Sequence, residues 1–374
     1  MMDAAAIGLG LRVRLLAEGP DTAAAEVVPG TVVGDYTDSK TVAAFADSCE
    51  VVTFDHEHVP QPILRKLLAD GVAVRPGPDA LIHAQDKAVM RERLAGLGVC
   101  PAFEIVRTPG ELAAAGERLG WPLVAKVARG GYDGHGVWVL DGPAQAEIPF
   151  GDEAGEDGPV VVAEERVDFV RELSALVVRG ADGSVVRYPV SESIQADGMC
   201  RATITPAPGL DPARAAGCLD LAERIASELG VVGVLAVELM ERRTGEVVVN
   251  ELAMRPHNTG HWTITGARTS QFENHLRAVA GLPLGDTDMS APWAVMANVL
   301  GDAEELDLPT WLAAALAGTG VSVQWYGKRW RPGRKLGHVT AIGQELDAVI
   351  DAALAAMPPG ATRDRLEEAI GGRG

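Results

Sequence analysis

The sequence predicts a protein of the α/β and α+β classes, with a parallel α/β region first, paired strands in the middle and a mixed C-terminal tail. In the first 85 residues, short apolar runs alternate with helical patterns, which is typical of βαβ units and a parallel sheet. Further along, apolar runs come in pairs around tight-turn sequences, which indicates β-hairpins. At 374 residues, the chain is long enough for two or three separate cores.

In the first region, short apolar runs predict four strands, and helical patterns predict three helices. The strands are Leu11–Leu16, Thr31–Val33, Val51–Phe54 and Val72–Val74, and the helices are Asp3–Leu9, Ser39–Ala46 and Pro62–Ala69. A doubly wound domain normally begins with a buried strand and a glycine-rich turn, and neither precedes the first helix here. We therefore expect this region to lack a central strand.

The middle region combines helices with antiparallel strands. Helices are predicted at Asp86–Leu97 and Pro212–Leu229, single strands at Pro122–Val127, Gly136–Leu140 and Val160–Ala163, and a surface loop at 142–158. Two hairpins are predicted, one joining Glu172–Val178 to Ser184–Tyr188 and one joining Gly233–Met240 to Gly245–Leu252. The tail from about Ala291 mixes short strands with helices.

Composition excludes several classes of protein. The net charge of −19 argues against a nucleic-acid-binding protein, which needs a basic face. No basic segment precedes an apolar run at the N-terminus, and no apolar stretch is long enough to span a bilayer. The four cysteines are scattered, which favours free thiols in a reducing compartment. We expect a cytoplasmic protein that binds neither nucleic acid nor membrane.

A glycine-rich segment after a buried lysine predicts a phosphate site. Four glycines lie within Gly130–Gly136, and such chains let backbone N–H groups converge on a phosphate. Lys126 lies in the preceding apolar strand, where a lone ammonium group is costly unless it meets an anion. A simple tight turn and a lysine that extends to solvent are the alternatives.

Two glutamates on facing strands predict a metal site. Folding the second hairpin about its turn places Glu238 and Glu251 on one face, opposite or diagonal to each other. Like charges across a ladder are destabilising, so a cation between them is expected, and oxygen ligands suit Mg²⁺. A solvated sheet face with splayed charges is the alternative. Strict alternation sends Asn250 to the other face, so the strand must bulge or end there if Asn250 is also a ligand.

Three further segments carry candidate polar groups. The loop after the second hairpin presents Arg255, which is suited to a small anion, together with His257 and His261. Zinc is disfavoured at these histidines because no cysteine or third histidine accompanies them. Residues 53–58 lie at a strand end, where ligand contact is expected. Residues 328–335 form a dense basic cluster, which favours a phosphate-monoester site.

Together, these motifs resemble the carboxyaminoimidazole ribonucleotide synthases of bacterial purine biosynthesis. The resemblance rests on Gly130–Gly136, Asn250–Trp262 and Arg331–His338, and it covers nearly the whole chain. It implies an ATP-grasp fold, with an N-terminal pre-ATP-grasp domain at 1–85, an ATP-grasp domain at 86–290 with a lid subdomain at about 100–165, and a small C-terminal domain at 291–374.

The resemblance also implies a reaction. ATP, bicarbonate and 5-aminoimidazole ribonucleotide would give ADP, phosphate and the N5-carboxylated nucleotide, through carboxyphosphate. ATP and Mg²⁺, with Mn²⁺ as an alternative ion, would be the cofactors, and a homodimer is expected. Two alternatives stay open: another ATP-grasp ligase, such as the formate-dependent glycinamide ribonucleotide transformylase, and an inactive nucleotide-binding protein.

Family roles carry over only to matching positions. Arg255, Lys126 and Asp133 would be catalytic, with Arg255 addressing bicarbonate or carboxyphosphate, and Glu238 and Glu251 would bind the metal. The residues that contact ATP would be Lys87, Lys126, Gly131, Tyr132, Asp133, Gly134, His135, Gly136, Glu164, Glu165, Val167, Glu172, Asn250 and Glu251. Of these, Glu164 would lie at the adenine hinge and Glu172 would hold the ribose hydroxyls. The second nucleotide would contact Glu57, Tyr132, Asp133, Arg255, His257, Asn258 and, through its phosphate, Lys328, Arg334 and Lys335.

This sequence departs from the family pattern in three places. Lys87 stands where arginine is usual, and Gln195 stands where some members have histidine. Family members also open with a strand and a Gly-Gly-Gly-Gln-Leu type of turn, whereas Met2–Ile7 resembles the helix that follows that turn. A mis-assigned start and a true truncation are both compatible with this difference, and a true truncation would put activity in doubt.

Overall fold

A computed structural model describes residues 1–131, 135–151, 158–196 and 198–371. Its first region contains α1 (Met2–Leu9), β1 (Leu16–Ala17), β2 (Val32–Val33), α2 (Ser39–Ala46), β3 (Val51–Val52), α3 (Gln61–Ala69), β4 (Ala73–Val74) and α4 (Pro78–Gln85). Strand β1 pairs with β2 and β3 pairs with β4, both in parallel, as two separate two-stranded sheets. The parallel pairing confirms the prediction.

Two details of this region differ from expectation. The predicted strand over Leu11–Leu16 is wrong except at its last residue, because only Leu16 and Ala17 find a partner strand. The helix α4 was not predicted; it begins with Pro78 directly after Gly77, and proline is well tolerated at a first helical position.

A four-stranded antiparallel sheet forms the lid region. Its elements are α5 (Lys87–Ala95), β5 (Phe103–Val106), α6 (Pro109–Leu119), β6 (Leu123–Val127), β7 (Val137–Leu140) and β8 (Val161–Glu165), with strand order β5-β8-β6-β7. The helix α6 packs on the sheet through Leu112, which is fully buried against Leu123 and Leu140. The predicted surface loop at 142–158 is wrong in part, because Ala146 and Phe150 are buried in this core.

The largest sheet crosses the rest of the molecule. Its strands are β9 (Phe169–Arg179), β10 (Val185–Arg187), β11 (Ser191–Ala196), β12 (Met199–Thr205), β13 (Gly233–Arg242), β14 (Val247–Ala253), β15 (Trp293–Leu300), β16 (Val321–Trp325) and β17 (Lys335–Gly343). Their order is β14-β13-β9-β11-β12-β15-β17-β16, with β10 beside β9. Both predicted hairpins are confirmed: β9 pairs with β10, and β13 pairs with β14, in each case antiparallel.

Helices cover this sheet and divide the hydrophobic core. They are α7 (Pro212–Glu228), α8 (Thr263–Gly266), α9 (Gln271–Ala280), α10 (Leu308–Ala315), α11 (Leu346–Ala356) and α12 (Ala361–Gly371). One core joins α2 and α3 of the first region to α7 and to β9, β13 and β14, and a second core joins α10 and α11 to β15 and β17. In the described part of the chain, no helix is long and apolar enough to cross a membrane.

Candidate active site

Glu238 and Glu251 lie directly opposite each other on β13 and β14. Residues paired directly across an antiparallel ladder point to the same face, so the two carboxylates share one side of the sheet. This arrangement confirms the predicted geometry. Burial alone would raise the pKa of the Glu238 carboxyl, but the hydrogen bond from His257 and the charges of His257, Arg255 and Lys335 hold that pKa below its ordinary value.

The strand β14 bulges next to this pair. Glu238 pairs with Glu251, yet the next residue, Leu239, pairs with Val249, which leaves Asn250 as an extra residue without a partner in the ladder. The bulge turns Asn250 toward the same cleft as Glu251, because its Oδ1 accepts a hydrogen bond of 2.9 Å from Lys126 Nζ. The structure therefore resolves the sequence-based conflict in favour of a bulge.

Lys126 is nearly buried on β6 and faces this bulge across the cleft. Its Nζ lies 2.8 Å from Oε2 of Glu164, in addition to its contact with Asn250. The other carboxylate oxygen of Glu164 accepts a 2.6 Å hydrogen bond from Nε of Arg91. Burial would raise the pKa of Glu164, but Lys126 and Arg91 hold it below its ordinary value. The predicted anionic partner of Lys126 is thus, in this structure, a carboxylate of the protein.

Two more basic residues of the predicted site are paired with carboxylates. Lys87, at the first turn of α5, contacts Oε1 of Glu251 at 2.9 Å. Arg255 Nε contacts Oε2 of Glu57 at 2.6 Å, so the loop after β3 and the loop after β14 meet. Glu57 and Arg255, expected at one binding site from the sequence, are therefore brought together.

A cavity of about 780 Å³ lies between the lid sheet and the large sheet. Lys126, Glu164 and Asn250 form its polar part, while Val167 and Met240 contribute apolar surface. Val167 packs with Met240 and Val248, and Glu165 is anchored by Arg242 Nη2 at 2.5 Å. A cavity of this size, lined by both charged and apolar side chains, suits a nucleotide, whose phosphates are charged and whose base is flat and largely apolar.

Comparison with known proteins places the chain in a family. Family models match it over residues 1–85 (ribonucleotide synthetase preATP-grasp domain), 93–272 (ATP-grasp domain) and 294–352 (phosphoribosylaminoimidazole carboxylase C-terminal domain). N5-carboxyaminoimidazole ribonucleotide synthase of Mycobacterium tuberculosis is 49% identical over 350 residues, which cover 92% of this chain and 81% of that protein. The enzyme of the same name from Corynebacterium ammoniagenes is 46% identical, covering 95% and 88% of the two chains.

The chain belongs to the N5-carboxyaminoimidazole ribonucleotide synthase family.

Solved structures of the family agree with the fold. The synthetase from Thermus thermophilus has a TM-score of 0.85 and 36% identity, covering 95% of this chain and 94% of that one. The synthase from Aspergillus clavatus, solved in complex with ADP and 5-aminoimidazole ribonucleotide, has a TM-score of 0.84 and 28% identity, covering 94% and 92% of the two chains. The ATP-grasp fold with preceding and following domains is thereby confirmed.

In this synthase family member, the Asn250–Trp262 motif wraps back onto β13. His257 Nε2 lies 3.1 Å from Oε1 of Glu238, and its Nδ1 shares a 2.8 Å hydrogen bond with Thr259. His261 is buried and contacts Gln271 rather than His257, so the two histidines do not converge as a zinc pair. Asn258 follows His257, and its buried Nδ2 has no hydrogen-bond partner among the described residues.

The basic cluster is placed less completely. Lys335, at the start of β17, is close enough for its charge to lower the pKa of Glu238, although burial of Glu238 acts in the opposite direction. Lys328 Nζ lies 5.3 Å from the centre of the Tyr326 ring, and Arg334 Nη1 donates to the Arg329 carbonyl at 3.2 Å. A substrate phosphate at Lys328 and Arg334 therefore stays a prediction.

The glycine-rich segment is described only at its ends. Gly136 has a φ of +73°, and its carbonyl accepts the Val127 amide at 2.9 Å, so it closes the β6–β7 hairpin tightly. Gly131 approaches the His135 carbonyl so closely that a Cβ on it would lie 2.8 Å from that oxygen. Tyr132, Asp133 and Gly134, which were assigned to ATP and to the second nucleotide, lie outside the described residues.

Glu172 and Gln195 meet on neighbouring strands of the large sheet. Burial and the nearby Glu238 raise the pKa of Glu172 to about 7, even though Lys126 and a hydrogen bond from Gln195 act in the opposite direction. The carboxyl group of Glu172, which is predicted to contact the ribose, is therefore only partly ionised at neutral pH.

Sequence reasoning missed Arg91. It is fully buried on α5 between the lid sheet and the large sheet. A signal was present: Ala88, Arg91 and Leu94 recur at helical spacing, so Arg91 occupies a position on the buried face of its helix. A charged residue at such a position indicates a specific buried partner.

Proposed function

We propose that this chain catalyses the ATP-dependent carboxylation of 5-aminoimidazole ribonucleotide by bicarbonate, giving N5-carboxyaminoimidazole ribonucleotide, ADP and phosphate. Membership of the synthase family supports this assignment, since relatives of that name match over more than nine-tenths of the chain. The observation in the structure that carries it is the opposed pair Glu238 and Glu251. Asn250, the neighbour of Glu251, contacts Lys126 at 2.9 Å, and both line a cavity of about 780 Å³.

The residues of the cleft fit Mg²⁺. Among the described residues, no group of three or more histidine, cysteine, aspartate or glutamate side chains converges on one point. Mg²⁺ in nucleotide enzymes is usually held by one or two carboxylates together with substrate phosphates, so the opposed pair is a sufficient protein contribution. Bound there by Glu238 and Glu251, the ion would neutralise phosphate charge and draw electron density from the γ-phosphate.

The protein's own groups position the reactants. Lys126 and Lys87 would exchange their present carboxylate partners for phosphate oxygens of ATP. An oxygen of bicarbonate attacks the γ-phosphorus in line, the bond to the ADP oxygen breaks, and carboxyphosphate forms. The guanidinium of Arg255 would orient the bicarbonate through paired hydrogen bonds.

The second half of the reaction forms the new C–N bond. The amine nitrogen of the substrate attacks the carbon of carboxyphosphate, or of the CO₂ released from it, phosphate leaves with the electrons of the C–O bond, and the nitrogen loses a proton. Glu57 is positioned by Arg255 and by the Met254 amide, so its carboxylate would contact the imidazole nucleotide beside the bicarbonate. We also propose that the enzyme is a cytoplasmic homodimer, as the family resemblance implies.

Coupled measurement of ADP and product tests this proposal. Purified protein with MgATP should release ADP only when bicarbonate and 5-aminoimidazole ribonucleotide are both present, and one carboxylated nucleotide should form per ADP. Formate with glycinamide ribonucleotide serves as the matched control and should give no turnover. ADP release that is indifferent to both substrates, or that depends on formate, would contradict the assignment.

A further inference from the structure

We propose that Arg91 is a positioning residue of the ATP site, which balances the charge of Glu164 so that Lys126 is available to the nucleotide phosphates. This inference rests on the proposed function, because it concerns how the nucleotide is bound there. Arg91 does not face the cavity; it acts through the groups it holds.

The contacts of Arg91 use both sides of its guanidinium. Nε donates to Oε1 of Glu164 at 2.6 Å, Nη1 donates to the Val249 carbonyl at 2.8 Å and Nη2 donates to the Asn250 carbonyl at 2.9 Å. Its side chain is fully buried, and Glu164 is nearly so. Because Glu164 lies on β8 of the lid sheet and Asn250 on β14 of the large sheet, one side chain connects the two walls of the cleft.

The two carbonyl contacts stabilise the bulge. In a regular strand, consecutive carbonyl groups point to opposite sides, whereas the carbonyls of Val249 and Asn250 both accept from the same guanidinium. This arrangement is the local consequence of the extra residue. Among the described strands β14 is the edge strand of the sheet, and on its outer side the Val249 amide donates to the Val99 carbonyl at 2.7 Å. Arg91 satisfies both carbonyls and thereby fixes the strand segment that presents Asn250 and Glu251.

The charge balance is the second part of the argument. Glu164 lies between two cations, with Lys126 on one carboxylate oxygen and Arg91 on the other. If Lys126 turns to a phosphate oxygen, Glu164 keeps a buried counter-charge only because Arg91 remains. Without Arg91, release of Lys126 would leave a buried unpaired carboxylate, which is strongly unfavourable. Lys126 would then be retained by Glu164 and would bind phosphate less well.

Lysine cannot replace arginine in this role. The planar guanidinium of Arg91 donates from three nitrogens to three separate acceptors, whereas a lysine ammonium has only one nitrogen. We therefore expect Arg91→Lys to preserve the charge balance but to lose at least one carbonyl contact.

A double-mutant cycle on ATP binding tests the inference. Arg91→Met should raise the Kd of MgATP by about 10- to 100-fold, the range expected for the loss of one or two hydrogen bonds to charged groups. Adding Glu164→Gln to Arg91→Met should recover part of that loss, because Lys126 is no longer held by a carboxylate. Arg91→Lys should fall between Arg91→Met and the unchanged protein. Arg93→Met, two residues along α5 and largely exposed, is the matched control and should bind MgATP normally.

The outcomes separate a positioning role from a purely structural one. If Arg91 only holds the fold, the double variant binds MgATP no better than Arg91→Met, and the inference is overturned. Normal MgATP binding by both Arg91→Met and Arg91→Lys also overturns it. If Arg91→Met does not fold, Arg91→Gln with and without Glu164→Gln replaces it, because glutamine also removes the charge and Glu164→Gln should again recover part of the loss. Because binding is measured without bicarbonate, failure of the carboxylation assay would contradict the proposed function and leave this test intact.

Discussion

Glu172 is a carboxyl group of the candidate site whose charge changes near neutral pH. Burial and the neighbouring Glu238 raise its pKa to about 7 from an ordinary value of 4.5. Between these two values, the unfolded chain is ionised at this position while the folded chain keeps its proton. The folded state therefore binds more protons, and stability from this group is present at low pH and is lost as pH rises through about 7.

We predict that Glu172→Gln removes this dependence. The free energy of unfolding of the unchanged protein, minus that of the variant, should fall between about pH 4.5 and pH 7 and then level off, because only the unchanged protein loses this contribution. Denaturant unfolding at several pH values measures it. Glu246→Gln, at the exposed turn of the β13–β14 hairpin, is the control and should follow the unchanged protein. A constant difference for Glu172→Gln would contradict the raised pKa.

Glu251 is a second residue with a specific expectation. We predict that Glu251→Gln lowers carboxylation at saturating substrates by about 100-fold or more, since even outer partners of a metal site cost 10- to 100-fold when removed. ADP release measured over a range of Mg²⁺ concentrations should show a higher Mg²⁺ requirement, because one of the two opposed carboxylates is gone. Glu246→Gln, on the same hairpin, should behave normally. Unchanged Mg²⁺ dependence would remove Glu251 from the metal site.

Single elements carry predictions of their own, and the β6–β7 hairpin is the clearest. Gly136 has a left-handed φ of +73°, and a Cβ on it would lie 2.5 Å from Cγ2 of Val127. Gly136→Ala should cost about 1–2 kcal/mol from the backbone conformation alone, with the steric contact adding to it. Gly142→Ala is the matched control, because Gly142 has extended backbone and open space around its Cα.

Hydrogen exchange at the β6 and β7 amides measures this effect. We expect faster exchange in Gly136→Ala and an unchanged rate in Gly142→Ala. An ordinary exchange rate in Gly136→Ala would mean that the hairpin can relax away from its tight closure. The same variant should also weaken MgATP binding, since Lys126 is on β6.

Helices and strands are predictable from the sequence where neighbouring residues, such as a capping side chain, specify their bounds. The helix Ser39–Ala46 has the predicted bounds, because Asp38 caps it by accepting the Thr41 amide. The capping box of Thr108 and Glu111 was equally readable, yet α6 was not predicted. The strand over Leu11–Leu16 had the right pattern and fails, because strand pairing depends on a neighbour that local sequence does not specify.

In the candidate site too, local sequence patterns are predictable, whereas contacts between residues distant in the sequence are not. The alternation of β13 and β14 was enough to place Glu238 and Glu251 on one face, and the bulge at Asn250 was foreseen as a condition. The contacts of Arg91 and Glu164 span 73 positions in the sequence, so only the tertiary arrangement brings them together. Contact between Glu164 and adenine stays a prediction. The Glu164 side chain is already paired with two cations, so this contact would be made by its backbone.

The whole molecule is joined by a core that extends across its regions. Leu64 of α3 and Leu235 of β13 belong to one hydrophobic cluster and are both fully buried. Arg75 Nη1 donates to the Val279 carbonyl at 2.6 Å, and Thr53 Oγ1 lies 2.7 Å from Nε2 of His275, so the first region is also held against α9 by polar contacts. The lid sheet, in contrast, has a separate core.

We therefore predict different responses to two matched core substitutions. Leu64→Ala and Leu112→Ala should each cost about 2–5 kcal/mol, the usual range for a buried leucine. Leu64→Ala should speed hydrogen exchange in β13 as well as in the first region, because β13 shares its core. Leu112→Ala should affect only the lid strands. Confinement of the Leu64→Ala effect to the first region would show that the regions unfold independently.

The ion pairs of the cleft have a consequence for how ligands associate with it. Lys87 pairs with Glu251, whereas Glu164 pairs with both Lys126 and Arg91. A metal ion bound at Glu251, as proposed above, would displace Lys87, and the freed ammonium would attract phosphate. The two ligands should thus favour each other's binding, and linkage requires the effect to be equal in both directions.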